Sequence, residues 1–385
     1  MSAHGRPQKK LFVCTRPYQY LMCRLIKDGY MYNACDLLVL NHFDDAPALT
    51  HALRTLRVWE RVFFEDDTEQ NRRNAGLNSL QKLFFYHNWR PLLPASISSY
   101  DEYDGLFLAH DGVATEYGIM RQFNAQGKHA TVYEEGFGNY VCTNDHTDNA
   151  TRLLKRLAHW FRLPGDHIGR LQYIDTVLLQ WPEILTRDRT NPLKKKARAL
   201  PLTLREFLSR DQIREEMETL YPELEVLSSS VQKGNAVAIL LGDLWWDVVP
   251  NREQYVRSLL GRIPLITGTH LDRIFIKQHP GEMKVLEPLG NEVGFIPKRL
   301  PLELFFLAAK GKIKDLFLLS FGSTAILNLH ELLSKECRVH ILILPTPLPD
   351  TSVDVTTRRF LVLADSLGIP CTPVAAWRTK EASRY

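Results

Sequence analysis

Cysteine is sparse and unpaired in this 385-residue chain. Cys14, Cys23, Cys35, Cys142, Cys337 and Cys371 form no Cys-x-x-Cys pair and have no histidine at ligand spacing. That pattern argues against a zinc site and a disulfide scaffold, and it predicts a reducing compartment. Long apolar runs are missing too. The longest candidate, Leu316 to Leu329, is broken by Ser320, Gly322, Ser323 and Thr324, short of the ~20 apolar residues of a membrane-spanning helix. The run Leu11 to Cys14 stops before Arg16, too short for a signal-peptide core. Neither charge dominates: 48 basic against 44 acidic residues leave a net charge of +4, too weak a bias to indicate a nucleic-acid partner. No internal repeat or low-complexity segment is visible.

What the chain does have is alternation. Leu11 to Cys14, Asp36 to Leu40, Gly105 to Ala109 and Ala130 to Tyr133 read as apolar strands, with Tyr18 to Lys27 and Thr115 to Asn124 at helical period between them. A second set follows: strands at Ala236 to Leu241, Arg273 to Ile276, Leu316 to Leu319 and Val339 to Leu344, with helices at Arg252 to Leu260 and Thr357 to Leu367. Strands alternating with helical segments predict βαβ units on parallel sheets. The length exceeds that of a single core, so two α/β domains are expected, residues 1–231 and 232–385, divided at the polar stretch Ser228 to Asn235. Two such halves imply a cleft, where ligands are commonly held.

Three loops carry the chemistry, each after an apolar strand: Glu134-Glu135-Gly136, Lys277-Gln278-His279-Pro280-Gly281 and Ser320-Phe321-Gly322-Ser323-Thr324. In parallel sheets ligands bind beyond the carboxyl ends of the strands, which is where these loops fall. Adjacent carboxylates on an extended chain point to opposite sides, so one faces the cleft as a candidate base while the other serves the loop; the residues alone leave open which. His279 stands where a strand meets a Pro-Gly turn, placed to hydrogen-bond or protonate a leaving group. Ser323 and Thr324 fall at the first turn of a helix, where free N–H groups bind anions. Taken singly, each loop is equally explained as a solvated turn or a helix cap. Their coincidence favours acid/base chemistry on a phosphate-bearing substrate.

Two basic stretches lie between the halves. Asn149 to Leu163 sets Arg152, Lys155 and Arg156 among leucines and aromatics, and a second run carries Lys194, Lys195 and Lys196. The plain reading is a solvated face; the sharper one is contact with an anionic lipid surface or a polyanionic acceptor.

With the loops in order, the chain resembles the bacterial sialyltransferases, in particular their capsule polysialyltransferase and lipooligosaccharide sialyltransferase branches. Their shared marks are an acidic-acidic-Gly motif, a His-Pro motif and a later Ser/Thr pair, here Glu134-Glu135-Gly136, His279-Pro280 and Ser323-Thr324. The opening Cys14-Thr15-Arg16-Pro17-Tyr18-Gln19 is similar to the family's first strand and loop, with Arg16 where many members have threonine, and Lys298 to Glu303 resembles a further family segment. The resemblance implies a GT-B architecture, two Rossmann-like domains, the first on the acceptor side and the second holding a CMP-activated sugar. It implies inverting transfer of sialic acid from CMP-sialic acid to a surface glycan, with no metal and no cofactor, consistent with the lack of an Asp-x-Asp loop. Glu134 would be the base and Glu135 would orient the loop. His279, Lys277, Pro280, Ser323 and Thr324 would meet the CMP phosphate, and Glu303 the ribose or cytosine. A cytoplasmic enzyme, peripheral on an anionic inner membrane and with no nucleic-acid partner, is the matching expectation. Another CMP-activated acid sugar such as Kdo, or a silent glycan-binding protein of the same fold, are the alternatives. Single transfer and polymerisation are not distinguished.

Overall fold

The structure is a computed structural model that describes residues 9–140, 168–187, 191, 193–242, 252–282, 293–345 and 352–374. The chain divides into two compact units, Met1–Thr203 and Leu204–Tyr385.

The first unit is built on a seven-stranded sheet ordered β3-β2-β1-β4-β5-β6-β7. Its strands are β1 (Lys9–Cys14), β2 (Cys35–Leu40), β3 (Arg61–Glu65), β4 (Tyr103–Leu108), β5 (Ala130–Tyr133), β6 (Ile174–Leu179) and β7 (Ala197–Ala199). Every pairing is parallel. All six residues of β2 and the last four of β1 are buried, as expected of strands with both faces covered, where an unbroken apolar run replaces alternation. The helix Pro17–Gly29 starts with Pro at its first position, where the missing N–H costs nothing.

The second unit repeats the plan with six parallel strands, ordered β10-β9-β8-β11-β12-β13. They are β8 (Asn235–Leu241), β9 (Arg273–Lys277), β10 (Val293–Ile296), β11 (Ile313–Ser320), β12 (Arg338–Ile343) and β13 (Cys371–Pro373). Renumbered from its own first strand, each sheet reads 3-2-1-4-5-6, the doubly wound Rossmann order, and the first adds a seventh strand. In such a sheet the chain reverses its winding between strands 1 and 4, so the carboxyl ends of those strands frame a crevice. The α/β expectation of two Rossmann-like halves, the composition of the GT-B class, is met.

The division between units falls at Thr203/Leu204 and not at 231/232. Hydrogen bonds and ion pairs of the helical stretch 204–230 explain the difference. Arg205 donates to the Leu332 carbonyl (2.6 Å) and pairs with Glu336, Glu223 accepts from Arg299 Nε (2.7 Å), and the Ser228 carbonyl accepts from Lys312 (2.7 Å). All of those partners belong to the second unit. The basic stretch with Arg152, Lys155 and Arg156 lies outside the described residues. Among the described residues no helix is long and apolar enough to cross a membrane.

One polar cluster pins the amino-terminal edge of the first sheet. Asp36 on β2 is fully buried and accepts from Arg61 Nε (2.8 Å) and Nη2 (2.6 Å) on β3 and from Tyr103 Oη (2.6 Å) on β4. Lys9 on β1 completes the set at 3.0 Å. Four adjacent strands are thereby tied through one carboxylate. Breaking a buried ion pair on one side leaves uncompensated charge; here the Arg61 side chain is 41% exposed, which softens the cost. Asp36→Ala is expected to lower stability by about 2–3 kcal/mol, read as a fall in the urea midpoint.

Candidate active site

In the first unit the carboxyl ends of β1, β4 and β5 carry the candidate loops. Glu134 and Glu135 follow β5 and, as extended geometry requires, diverge. Glu134 is fully buried: its Oε2 accepts from the Gln180 N–H (2.7 Å) and from the Tyr140 hydroxyl, which also accepts from the Trp181 N–H at 3.1 Å. Glu134 thus ties its loop to the end of β6. Glu135 is turned the other way, its side chain 19% exposed, with Arg16 Nη1 3.8 Å from Oε1 and His110 Nε2 4.0 Å from Oε2. The turn is closed by Asn139, whose Oδ1 accepts from the N–H groups of Glu135 (2.7 Å) and Gly136 (3.2 Å). Gly136 has φ +142°, a value that residues with a Cβ avoid.

Arg16 is exposed, while its neighbour Thr15 is buried and donates from both N–H (2.6 Å) and Oγ1 (2.7 Å) to Gln19 Oε1. His110 follows β4. Its Nδ1 accepts from the Gly112 N–H at 2.7 Å, so the neutral ring carries its proton on Nε2, toward Glu135. Behind it Glu116, fully buried, accepts from the N–H groups of Ala109 (3.0 Å) and His110 (3.3 Å). Burial, and then the charge of Glu135, push the Glu116 carboxyl well above the usual range. His110 and Glu116 are absent from the sequence-based site. A histidine directly after an apolar strand and before a glycine turn is the same signal that singled out His279, and it was present at Ala109-His110-Asp111-Gly112.

In the second unit His279 follows β9, next to the crevice between β8 and β11. Its N–H donates to Glu282 Oε1 (2.6 Å), and its Nδ1 accepts from the Gly281 N–H (3.1 Å), which again leaves the neutral ring's proton on Nε2. Pro280 fills the turn. Glu282 is buried and paired with Arg252, itself 7% exposed. Gly242, just after β8, clears the space: a Cβ there would stand 2.1 Å from Glu282 Oε1. No sequence signal marked this trio, because its members lie tens of residues apart.

Lys277 does not reach outward. Its ammonium donates to the carbonyls of Gln278 (3.1 Å), Pro297 (3.0 Å) and Lys298 (3.0 Å), and burial pushes it down to about 7 against the opposing pull of Glu303 and Glu282. Glu303 is buried on a 3-10 turn and accepts from Asn328 Nδ2 (2.8 Å); burial raises its carboxyl, with Asn328 opposing. At the end of β11, Ser320 Oγ accepts from the N–H groups of Gly322 (3.1 Å) and Ser323 (3.2 Å). Ser323 caps the helix Thr324–Leu333, accepting from the Ala325 N–H, and Thr324 is half-buried at its first turn. Of the three lysines in the basic run, Lys194 and Lys195 are exposed, whereas Lys196 donates to the carbonyls of Gly169 (3.2 Å), Arg170 (3.3 Å) and Leu171 (2.7 Å).

Two Rossmann-like units thus each place candidate side chains at the carboxyl ends of their strands, one a carboxylate with a histidine and an arginine, the other a histidine with a helix N-terminus. The chain belongs to the alpha-2,8-polysialyltransferase (POLYST) family, which it matches over residues 10–336. Membership makes it a sialyltransferase that draws on CMP-sialic acid and a glycan acceptor. It matches no curated protein in sequence. Among solved structures it is similar to the UDP-GlcNAc 2-epimerase from Methanocaldococcus jannaschii, with 12% identity, 97% of this chain and 90% of that one covered, and a TM-score of 0.49. The UDP-GlcNAc 2-epimerase from Neisseria meningitidis bound to UDP-GlcNAc gives 13%, 93%, 86% and 0.45 in the same order. A spinosyn rhamnosyltransferase complexed with spinosyn aglycone gives 12%, 94%, 92% and 0.44.

Two tests follow from the second unit. Gly242→Ala forces Glu282 off the His279 N–H; a displacement of this kind is expected to cost about 100-fold in turnover, measured as CMP release with the fold checked by circular dichroism. Lys277 is charged in the folded state only below about pH 7, whereas in the unfolded chain it stays charged to about 10.4. Between these values the unfolded state binds the extra proton, so stability rises with pH. The stability difference between wild type and Lys277→Met, from urea unfolding at several pH values, is expected to shift in favour of wild type across that window.

Proposed function

We propose that the protein is an inverting, metal-independent sialyltransferase that builds a bacterial surface glycan, a capsular polysaccharide or lipooligosaccharide, with Glu135 and not Glu134 as the catalytic base. The observation that carries this assignment is the contrast in burial. Glu134 is fully buried and accepts bonds from Tyr140 and Gln180, whereas Glu135 is partly exposed beside Arg16 and His110. A base must reach the proton it removes, and Glu134 is already engaged in holding the loop.

In this reading the Glu135 carboxylate takes the proton of an acceptor hydroxyl as its oxygen forms a bond to the anomeric carbon of sialic acid. The bond from that carbon to the CMP phosphate oxygen breaks, and the electron pair leaves with CMP. The transition state has oxocarbenium character, so the departing charge is the one to stabilise. His279 Nε2–H, the helix N-terminus at Thr324 and the Ser323 hydroxyl suit that task. Lys277 acts at a distance, by holding the segment at Pro297 and Lys298 against the end of β9, and Glu303 supports the nucleotide side. The exposed Lys194 and Lys195, with Arg152, Lys155 and Arg156, are assigned to an anionic acceptor or to the cytoplasmic face of an anionic inner membrane.

CMP release from CMP-sialic acid tests the reading. Glu135→Gln and His279→Ala are each expected to lose about 100-fold or more, while Glu134→Gln retains more activity and loses thermal stability. A well-folded Glu134→Gln that is inactive beside an active Glu135→Gln would return the base to Glu134. Purified wild type that neither hydrolyses nor transfers from this donor would sink the function itself.

A further inference from the structure

A second polar constellation lies on the same carboxyl-terminal edge of the first sheet. His42 follows β2 and Asp67 follows β3. Asp67 is 1% exposed, and its Oδ1 stands 2.8 Å from His42 Nε2 while its Oδ2 accepts from the Thr115 hydroxyl at 2.6 Å. Asn71 Nδ2 lies 2.8 Å from the same His42 nitrogen and is also a hydrogen-bond partner of Asp67, so the Asp67 carboxylate is the group that receives both the Asn71 amide N–H and the His42 Nε2–H. The imidazole is therefore fixed through Nε2, and no described residue hydrogen-bonds Nδ1; the side chain remains 19% exposed. A buried carboxylate holding Nε2–H leaves Nδ1 of the neutral ring as an acceptor facing away from the pair.

Distance along the sheet defines what such a group can touch. From the end of β5, where Glu135 stands, to the end of β2 the sheet crosses β4 and β1, three strand spacings of roughly 5 Å each, on the order of 14 Å. The interval is occupied by polar groups: Arg16 after β1, His110 after β4, and Glu116 behind them, which feels the charges of both Glu135 and Asp67. A ligand that reaches from Glu135 to His42 must be longer than one sugar ring. Each sugar ring brings hydroxyl donors of the sort that imidazole Nδ1 accepts.

We propose that His42, oriented by Asp67, is a remote acceptor subsite: it accepts a hydrogen bond from a hydroxyl of an acceptor sugar one or more residues back from the one that reacts. This rests on the transferase reading with Glu135 as base. The substitution that isolates it is His42→Gln, whose side-chain amide can take the place of Nε2 beside Asp67 and has nothing at the position of Nδ1. His42→Asn does the reverse, keeping a polar atom near Nδ1 and losing reach to Asp67.

Steady-state transfer is measured with CMP-sialic acid and two acceptors, an oligosialoside of several residues and a single-sugar sialoside. With the oligomer, His42→Gln is expected to raise the acceptor KM about five- to tenfold, the loss of one hydrogen bond, with a smaller change in kcat; His42→Asn restores part of it. With the monosaccharide glycoside the wild type and His42→Gln have equal KM. An unchanged KM for the oligomer overturns the subsite, as does an equal rise for both acceptors or a loss that tracks the melting temperature of the variants. Failure of wild type to release CMP from the donor is read separately and counts against the transferase reading.

Discussion

A carboxylate taken out of water must have its lone pairs satisfied, and both halves of this protein turn that requirement into a means of holding a loop. Glu134 in the first unit collects the Tyr140 hydroxyl and the backbone N–H of Gln180, just beyond β6. Glu282 in the second collects the His279 N–H and the Arg252 guanidinium. Each of these buried carboxylates fixes the backbone that carries a more exposed neighbour, Glu135 in one unit and His279 in the other. The pattern extends to Asp67 under His42, and Glu116 under His110 holds its loop in the same way, through two backbone N–H groups. Because an unpaired buried carboxylate is far costlier than an unpaired neutral group, each loop has one arrangement of low energy. Preorganisation of this kind is what electrostatic catalysis requires.

The alternation of elements was legible in the chain because the central strands are buried on both faces. Cys35–Leu40 and Asn235–Leu241 are apolar runs that only a covered strand tolerates. Edge strands left less of a mark: Ala197–Ala199 and Cys371–Pro373 have three residues each and are mostly exposed or half-buried, too short for a period to show. Arg61–Glu65 pairs on one side only, with β2, and is capped by charges at both ends. The boundary was misplaced for a related reason. The polar stretch near Ser228 looks like a linker, but what assigns the preceding helices to the second unit is a set of side-chain bonds from Arg205, Glu223 and Ser228 to residues 76 or more positions away.

The positions of the candidate loops were legible in outline. A strand ending in a Pro-Gly or Gly turn announces a loop at the carboxyl edge, and that rule found the acidic, histidine and serine/threonine loops. It also foretold that Glu134 and Glu135 would face opposite ways. Which of them turns inward depends on Tyr140 and Gln180, and no local pattern encodes that. Lys277 and Lys196 show the same limit. Both look like cations offered to a ligand, and each instead gathers three backbone carbonyls, an arrangement that exists only once distant segments have met.

Asp36 and its partners sit at the amino-terminal edge of the first sheet, the loops proposed for catalysis and recognition at the opposite edge, and no described side chain serves both clusters. Effects of substitutions at separated sites that share no partner are close to additive. The loops at the carboxyl-terminal edge are thus free to drift in sequence without drawing on the interactions that keep the sheet assembled. A scaffold partitioned in this way can acquire a new acceptor preference one residue at a time, each step judged on recognition alone.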